Sequence, residues 1–326
     1  MAAGGTAHTL LLREDGHAVA FGFGDDGRCE VPDLPEGRRY LQVAAGGFNS
    51  HFLRDDGTVI SVGLGADGFE ADEHPVPYNP SDVPQLPEGR HYVGVAGGYT
   101  HTVFLRDDGM ALTCGKNRDG QCRVPELPDK TKYIAAAAGR FNSVLLRDDG
   151  MAVACGDDQH GNCMIPQLPE GRRYTAVACG PYHTVLLRDD GTAVAFGNHD
   201  HGECDIPELP EGRCYIAIAA GSSHTVLLRD DGFVAACGGS PLFNETRIPE
   251  LAEGRRYTGI AAGWYHTILI HDDGTAICVG DDSYGKCEVP ELPEGVRYCS
   301  GTVFLPTMAE ASKIDENAET NAAMAA

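Results

Sequence analysis

The sequence predicts an all-β protein, a seven-bladed β-propeller with four-stranded blades. Two observations predict it: a unit that recurs seven times, and the lack within each unit of an apolar stripe at helical spacing. The tripeptide EDG or DDG marks the phase of the repeat. Its glycines are Gly16, Gly57, Gly109, Gly150, Gly191, Gly232 and Gly274, at intervals of 41, 52, 41, 41, 41 and 42 residues. A period of this length is typical of solenoids, arrays and propellers.

Each unit contains four short apolar runs separated by turn residues. Residues 172–212 read RRYTAVACGPYHTVLLRDDGTAVAFGNHDHGECDIPELPEG. The runs YTAVA, HTVLLR, TAVAF and CDIP are predicted strands in that order. The DDG after HTVLLR supplies a hairpin turn, and the proline after CDI ends the last strand because it has no N–H to donate. One such meander has an apolar face too small to be stable alone, so seven units arranged radially cover one another.

The two ends of the chain predict how the ring closes. The chain starts at AAGGTAHT, which elsewhere follows the opening strand of a unit, so the first unit is expected to lack that strand. RYCSGTVFL, residues 297–305, is an opening strand with no unit after it. We therefore expect the C-terminal strand to pair with the N-terminal blade and close the propeller domain, residues 1–305. Residues 306–326, an Ala-rich acidic stretch, are expected to be a disordered tail.

The composition of the chain limits the classes of binding partner that we expect. The formal net charge is −23, which repels nucleic acid and anionic lipid surfaces. No uninterrupted apolar run is long enough to cross a membrane. The N-terminus lacks the pattern of a secretory signal, so we expect a cytoplasmic or nuclear protein with reduced cysteines.

The repeats resemble a known family. The pattern VAxGxxHTVLLxDDGxxxxxGxxxxGQ is similar to the repeats of the regulator of chromosome condensation family, whose fold is a seven-bladed propeller, from Ala2 to about Leu305. The family's usual Trp before Gly is replaced in every unit. The replacements are Phe21, Val62, Cys114, Cys155, Phe196, Cys237 and Val279. The CxVP or CxIP endings and the short period are more similar to the bacterial β-lactamase-inhibitor propellers. The resemblance implies a binding scaffold and no particular partner.

Histidines and cysteines recur in phase with the repeat. A His-Thr or Asn-Ser dipeptide opens the second run of every unit, and because Asn replaces His twice, we interpret these residues as buried hydrogen-bonding groups and not as metal ligands. The cysteines that share one phase are Cys29, Cys122, Cys163, Cys204 and Cys287. They fall on separate blades, so we expect buried free thiols.

No motif indicates catalysis, a metal or a cofactor. GFGDDG, residues 22–27, and GLGADG, residues 63–68, match a dinucleotide fingerprint but open no predicted helix. The NHDHGE stretch, residues 198–203, could hold a cation only with a second ligand cluster, and the loop offers none. We therefore predict a protein that is not an enzyme and binds no cofactor.

Recognition is predicted on the face where the sequence varies. The DDG and LPEG turns share one end of the blades and are nearly identical in all units, whereas the AGxxH turns and the loops after the third run lie at the other end and differ. The candidate partner-binding residues are Trp264, Tyr265, Phe48, Tyr99, Arg140, Phe141, Tyr182 and Phe243. These are residue types that dominate binding hot spots. The insertion at residues 69–82, with Phe69 and Tyr78, is expected on the same face. An alternative is that the aromatics only plug the channel mouth or cover blade junctions.

The function that these patterns favour is a monomeric, non-enzymatic scaffold that binds a protein partner, one with a basic surface being the best match to the acidic chain. Two alternatives stay open. One is a structural subunit of a larger assembly. The other is nucleotide exchange on a small GTPase, which the founding family member's fold allows, although the basic tail of that role is missing here.

Overall fold

The computed structural model describes residues 1–63 and 81–300. These residues form seven antiparallel sheets of three strands, one for each sequence unit. The first three sheets contain β1 (Ala2–Gly4), β2 (His8–Leu12), β3 (Ala18–Gly22), β4 (Tyr40–Ala45), β5 (Asn49–Arg54), β6 (Val59–Gly63), β7 (Tyr92–Gly97), β8 (His101–Arg106) and β9 (Ala111–Gly115). The next two contain β10 (Tyr133–Ala138), β11 (Asn142–Arg147), β12 (Ala152–Gly156), β13 (Tyr174–Cys179), β14 (His183–Arg188) and β15 (Ala193–Gly197). The last two contain β16 (Tyr215–Ala220), β17 (His224–Arg229), β18 (Val234–Gly238), β19 (Tyr257–Ala262), β20 (His266–His271) and β21 (Ala276–Gly280).

The DDG turns join the second and third strands as predicted. At Gly191 the φ angle is +78°, a conformation that costs an L side chain about 1–2 kcal/mol. A Cβ on this glycine would also lie 2.2 Å from Cβ of Cys214 in the next unit. The carboxylate of Asp190 accepts a hydrogen bond from the backbone N–H of Thr192, 3.0 Å away. The turn therefore needs glycine for its own geometry and for the close approach of the next blade.

The prediction of four strands in each blade was wrong for the described residues, which show three. In the fifth unit the run CDIP forms a local turn instead of a strand. The N–H of Asp205 donates to the carbonyl of Gly202 at 3.1 Å, and the N–H of Ile206 donates to that of Cys204 at 2.9 Å. Pro207 has no N–H, and its carbonyl accepts a hydrogen bond from the hydroxyl of Tyr215 at 2.8 Å. Two backbone donors of the run are therefore already used, and a third is missing.

Apolar cores form between neighbouring sheets. The second strand of a unit is buried along nearly its whole length, as in β14. Val185 and Leu187 of β14 pack with Tyr215, Ile218 and Leu227 of the next unit. Each sheet packs one face against each neighbouring sheet, so a single blade has no complete core of its own.

The seventh unit packs against the first in the same way as internal neighbours do. Leu11 of β2 lies in one core cluster with Ile268 and Ile270 of β20. The first strands of all seven sheets line one central channel, a cavity of about 180 Å³ walled mainly by Ala, Val, Ile and Gly. The structure is therefore a β-propeller of seven three-stranded sheets.

The first unit has an opening strand, contrary to prediction. This strand, β1, is only three residues long and pairs with β2. The C-terminal segment pairs at the end of β2. Tyr298 forms an antiparallel bridge with Arg13, and the N–H of Cys299 donates to the carbonyl of Leu12 at 2.8 Å. Residues 301–305 of the predicted closing strand and the whole predicted tail, 306–326, lie outside the described residues.

The recurring histidines hydrogen-bond between blades. The ring Nε2 of His183 lies 3.0 Å from the hydroxyl of Thr225 in the next unit, and that hydroxyl donates to the carbonyl of Glu203 at 2.7 Å. The same contact joins His266 to Thr9, 2.9 Å apart, across the junction of the seventh and first units. Burial is complete and lowers the pKa of His183 to about 4. These rings therefore have the structural role that the Asn replacements predicted.

One cysteine prediction was wrong. Cys287, expected to be a free thiol, forms a disulfide with Cys278 of β21. Cys278 occupies a position that is Ala195 and Ala236 in the two preceding units, so it stands outside the repeated cysteine phase. The repeated thiol of Cys204 is free and donates to the carbonyl of Asn198 at 3.2 Å. Burial, with smaller contributions from nearby carboxylates and Cys237, raises its pKa to about 12.

Candidate protein-binding face

Two sets of loops form one face of the propeller, which we call the variable face. They are the turns between first and second strands, such as 180–182, and the loops after third strands, such as 198–204. Backbone hydrogen bonds join the two loops within a unit: the N–H of Asn198 donates to the carbonyl of Tyr182 at 2.9 Å. The DDG turns lie at the opposite end, where the N–H of Tyr215 donates to the carbonyl of Gly191 at 2.8 Å. The predicted division of the loops between two faces is therefore correct.

The eight predicted binding residues form one contact network on the variable face, which we call the aromatic network. Its members are Phe48, Tyr99, Arg140, Phe141, Tyr182, Phe243, Trp264 and Tyr265, all of them half-buried. They come from six of the seven units. The predicted insertion residues Phe69 and Tyr78 lie outside the described residues, so the network is defined without them.

The rings form a chain across the face. The ring of Trp264 stacks on that of Tyr99, with centroids 5.0 Å apart and planes at 21°. Tyr99 also contacts Phe48 at 5.1 Å. In the other direction Trp264 meets Tyr265 edge-on at 6.1 Å, and Tyr265 packs on Phe243 at 4.8 Å. Each large side chain is thus held by at least one neighbour before any partner arrives.

Arg140 joins the remaining two aromatics to the chain of rings. Its guanidinium carbon lies 5.3 Å from the ring centroid of Tyr99, 4.8 Å from that of Phe141 and 5.3 Å from that of Tyr182. Each of these distances is within the range of a cation–π interaction. The ring of Tyr182 also contacts His160 at 5.1 Å.

Part of the network borders the central channel. Tyr99, Arg140 and Trp264 line its mouth, together with Thr6 and Pro181. The backbone N–H of Trp264 donates to the carbonyl of Gly5 in the first unit at 3.1 Å, so Trp264 lies at the junction of two blades. The alternative role, covering the channel mouth and a blade junction, therefore applies to Tyr99, Arg140 and Trp264. Phe243 and Tyr265 lie away from the channel lining.

A second cluster on the same face was not predicted from the sequence. Arg28 is only 3% exposed, and its guanidinium lies 5.1 Å from the ring centroid of Phe23 and 5.2 Å from that of Phe48. Phe23 meets Tyr284 edge-on at 5.2 Å. Arg28 precedes a repeated cysteine and Tyr284 lies in the equivalent loop of the seventh unit, so the variability of this loop was the available signal.

Arg28 has a carboxylate partner within its own loop. Its Nε donates to both carboxylate oxygens of Asp26, at 2.8 and 2.9 Å. Burial raises the pKa of Asp26, but the hydrogen bonds and charge of Arg28 outweigh it, so the pKa lies below its usual range. Arg28 also donates to the carbonyl of Gly47 at 2.9 Å, which fixes the turn that carries Phe48.

The NHDHGE stretch is organised by its own hydrogen bonds. The buried carboxylate of Glu203 accepts a hydrogen bond from the N–H of His201 at 2.9 Å, and the side chain of Asn198 donates to Asp200 at 3.1 Å. Within residues 1–63 and 81–300, no group of three or more His, Cys, Asp or Glu side chains is placed to hold a metal ion. A search of the same residues for a helix able to span a membrane found none.

Comparison with known proteins agrees with the repeat pattern. Residues 92–121, 174–203 and 257–286 match the family model of the regulator of chromosome condensation (RCC1) repeat. Each match runs from the first strand of a unit into the loop after the third strand. A search of curated proteins found no significant match.

Solved structures share the fold at low sequence identity. Prp20p from Saccharomyces cerevisiae, a protein studied for its binding to Gsp1p and histones, is 18% identical with a TM-score of 0.66, over 98% of this chain and 85% of its own. The ectodomain of the Arabidopsis thaliana receptor kinase ACR4 is 17% identical with a TM-score of 0.63, over 87% and 95%. Human WBSCR16 is 17% identical with a TM-score of 0.56, over 93% and 82%. Three of the seven units therefore match the regulator of chromosome condensation repeat, and the chain shares the β-propeller fold of these solved structures.

Proposed function

We propose that this chain is a non-enzymatic scaffold that binds a partner protein through the aromatic network on its variable face. One observation carries the proposal: six different units contribute side chains of hot-spot type to a single connected cluster. Rings held by neighbours lose little conformational entropy on binding, so most of the area they bury counts toward affinity. The binding of Gsp1p and histones by the similarly folded Prp20p supports a role of this class.

The chemistry of the buried titratable groups supports a non-enzymatic role. Burial keeps the six buried histidines neutral near pH 7, and each of them bridges adjacent blades through a Thr or Ser hydroxyl. The repeated thiols have pKa values raised by burial, as with Cys29 at about 11, which disfavours the thiolate that a nucleophile or metal ligand requires.

The partner's surface is proposed to be basic around the contact. At a net charge of −23 the chain attracts cationic surfaces over the range of its field and repels anionic ones. Binding should therefore weaken as salt is raised, chiefly through a slower association rate.

We also propose that the C-terminal segment closes the ring by lying along β2, end to end with β1. The bridge between Tyr298 and Arg13 supports this. So does the hydroxyl of Tyr298, which donates to the carbonyl of Pro290 at 2.9 Å, just as each internal first-strand tyrosine donates to a proline of the preceding unit. If so, Tyr298→Ala should lower the free energy of unfolding as much as the internal Tyr174→Ala does. A much smaller loss would show that the ring does not depend on this segment.

Capture of the partner tests the proposed function. Purified protein would be cross-linked in cognate lysate, the partner identified by mass spectrometry, and its Kd measured with the wild type and with Tyr265→Ala. Loss of a hot-spot ring costs about 2 kcal/mol or more, so Kd should rise about 30-fold or more. Phe233→Ala is the matched control, because Phe233 is 56% exposed beside Arg229 on the opposite face. A Kd that changes for Phe233→Ala and not for Tyr265→Ala would refute the proposal.

A further inference from the structure

We infer that Arg140 is an anchor for a carboxylate, so that the partner of the proposed function inserts an aspartate or glutamate side chain at the channel mouth. The inference rests on the proposed function and specifies the chemistry of one contact within it. It runs against the charge of the whole chain, which by itself would favour only cationic groups.

Three rings surround the guanidinium of Arg140, and its Nε is buried without a hydrogen-bond partner. Across residues 1–63 and 81–300, no carboxylate pairs with it. Asp157 and Asp158, the carboxylates in the third-strand loop of the same unit, accept hydrogen bonds from backbone N–H groups of that loop at 3.2 and 2.7 Å. Arg140 is therefore a positioned cation whose donors are available.

Arg28 is also flanked by aromatic rings on this face, and it has a carboxylate partner. Arg28 lies between Phe23 and Phe48, and Asp26 completes its environment with a bidentate ion pair. Lys286, a buried cation of the seventh unit, likewise pairs with Asp281 at 2.6 Å. A carboxylate supplied by a partner would give Arg140 the arrangement that Arg28 already has.

Arg140 lies at the mouth of an apolar channel. Walls of Ala, Val and Ile lower the local dielectric, which strengthens an ion pair formed at the entrance. Arg140 is half-buried and lines the channel mouth, so part of its side chain is open to an incoming group. A planar guanidinium binds a carboxylate through two parallel hydrogen bonds. An amide of the same shape binds more weakly, because it has no charge and only one acceptor oxygen.

A pair of defined peptides tests this inference without knowledge of the natural partner. The probes are acetyl-Gly-Phe-Glu-Phe-Gly-amide and the same peptide with Gln in place of Glu, whose flanking rings can pack on the aromatic network. Trp264 is the single tryptophan of the chain and stacks on Tyr99 beside Arg140, so its fluorescence reports binding at this place. We expect saturable changes with both peptides, and half-saturation by the Glu peptide at a concentration at least tenfold lower.

Variants attribute the preference to Arg140. In Arg140→Gln the two peptides should bind equally, and Arg140→Lys should keep only part of the preference. Arg147→Gln is the matched control, since Arg147 is in the same unit but pairs with Asp149 on the opposite face. Equal half-saturation of the wild type by both peptides, or no response to either, would overturn the inference. Such a result would leave the proposed function intact if Tyr265→Ala still weakens partner binding.

Discussion

Lowering the pH from 7 to 5 should destabilise this protein severely through its buried histidines. Six of these rings lie between the blades. They are His8, His51, His101, His183, His224 and His266. Burial lowers their pKa from 6.5 to about 3 for His8, His51, His224 and His266, and to about 4 for His101 and His183. Arg28 adds to the effect at His8, and Lys286 does so at His266.

The direction of the effect follows from the proton balance. The unfolded chain binds a proton at each of these rings once the pH falls below 6.5, while the folded chain does not until the pH approaches 3–4. Stability is therefore fully present above pH 6.5 and is lost as the pH falls through that window. Between pH 7 and 5 each histidine contributes a loss of about 2 kcal/mol, and six together about 12 kcal/mol. Since domains are stable by about 5–15 kcal/mol, this loss is enough to unfold the propeller.

Urea unfolding followed by circular dichroism at pH 7, 6, 5.5 and 5 would measure the loss. His183→Asn is the informative variant, because Asn already occupies the equivalent positions 49 and 142. This variant removes one proton-binding group from the unfolded chain. The slope of the free energy of unfolding against pH should therefore fall by about 1.4 kcal/mol per pH unit below pH 6. An equal free energy of unfolding at pH 7 and pH 5 would refute the assignment of neutral, buried histidines.

Three further outcomes follow from packing and backbone geometry. Leu186→Ala removes a fully buried side chain between two blades and should cost about 2–5 kcal/mol in the free energy of unfolding; a cost below about 1 kcal/mol would contradict the inter-blade core. Gly191→Ala should destabilise more than Gly212→Ala, because both have positive φ but only the first has a neighbour where the Cβ would lie; equal losses in urea unfolding would argue against the close approach. Tyr99→Ala should shift the emission of Trp264 to longer wavelength by removing its stacking partner, and an unchanged spectrum would count against the stack.

Much of the fold could be predicted because its determinants are local. The run HTVLLR became β14 and the run TAVAF became most of β15, since β-branched residues between turn signals specify short strands without distant help. The run CDIP has a similar composition but forms a turn. The sequence did not show that CDIP would form a turn, because a strand also needs a free strand edge to pair with and free backbone donors.

Contacts between units could not be predicted in the same way. The repeat phase separates the DDG turns from the variable loops, and so the sequence correctly assigned all eight members of the aromatic network to one face. It did not indicate the pairing of Cys278 with Cys287, because that pairing depends on how a loop folds back on its own blade. Nor did it indicate the Arg28 cluster, because that cluster joins residues of three units.

The sequence by itself determined the number of units, the positions of most of their strands and which loops share a face, because these follow from a repeated local pattern in which every blade solves the same packing problem. Only the tertiary structure decided that Tyr99 of the third unit stacks on Trp264 of the seventh, and that Arg140 is flanked by rings with no carboxylate beside it in the described residues. Side chains 165 positions apart meet because the ring of blades curves back on itself, and curvature is a property of the whole assembly that no single repeat encodes.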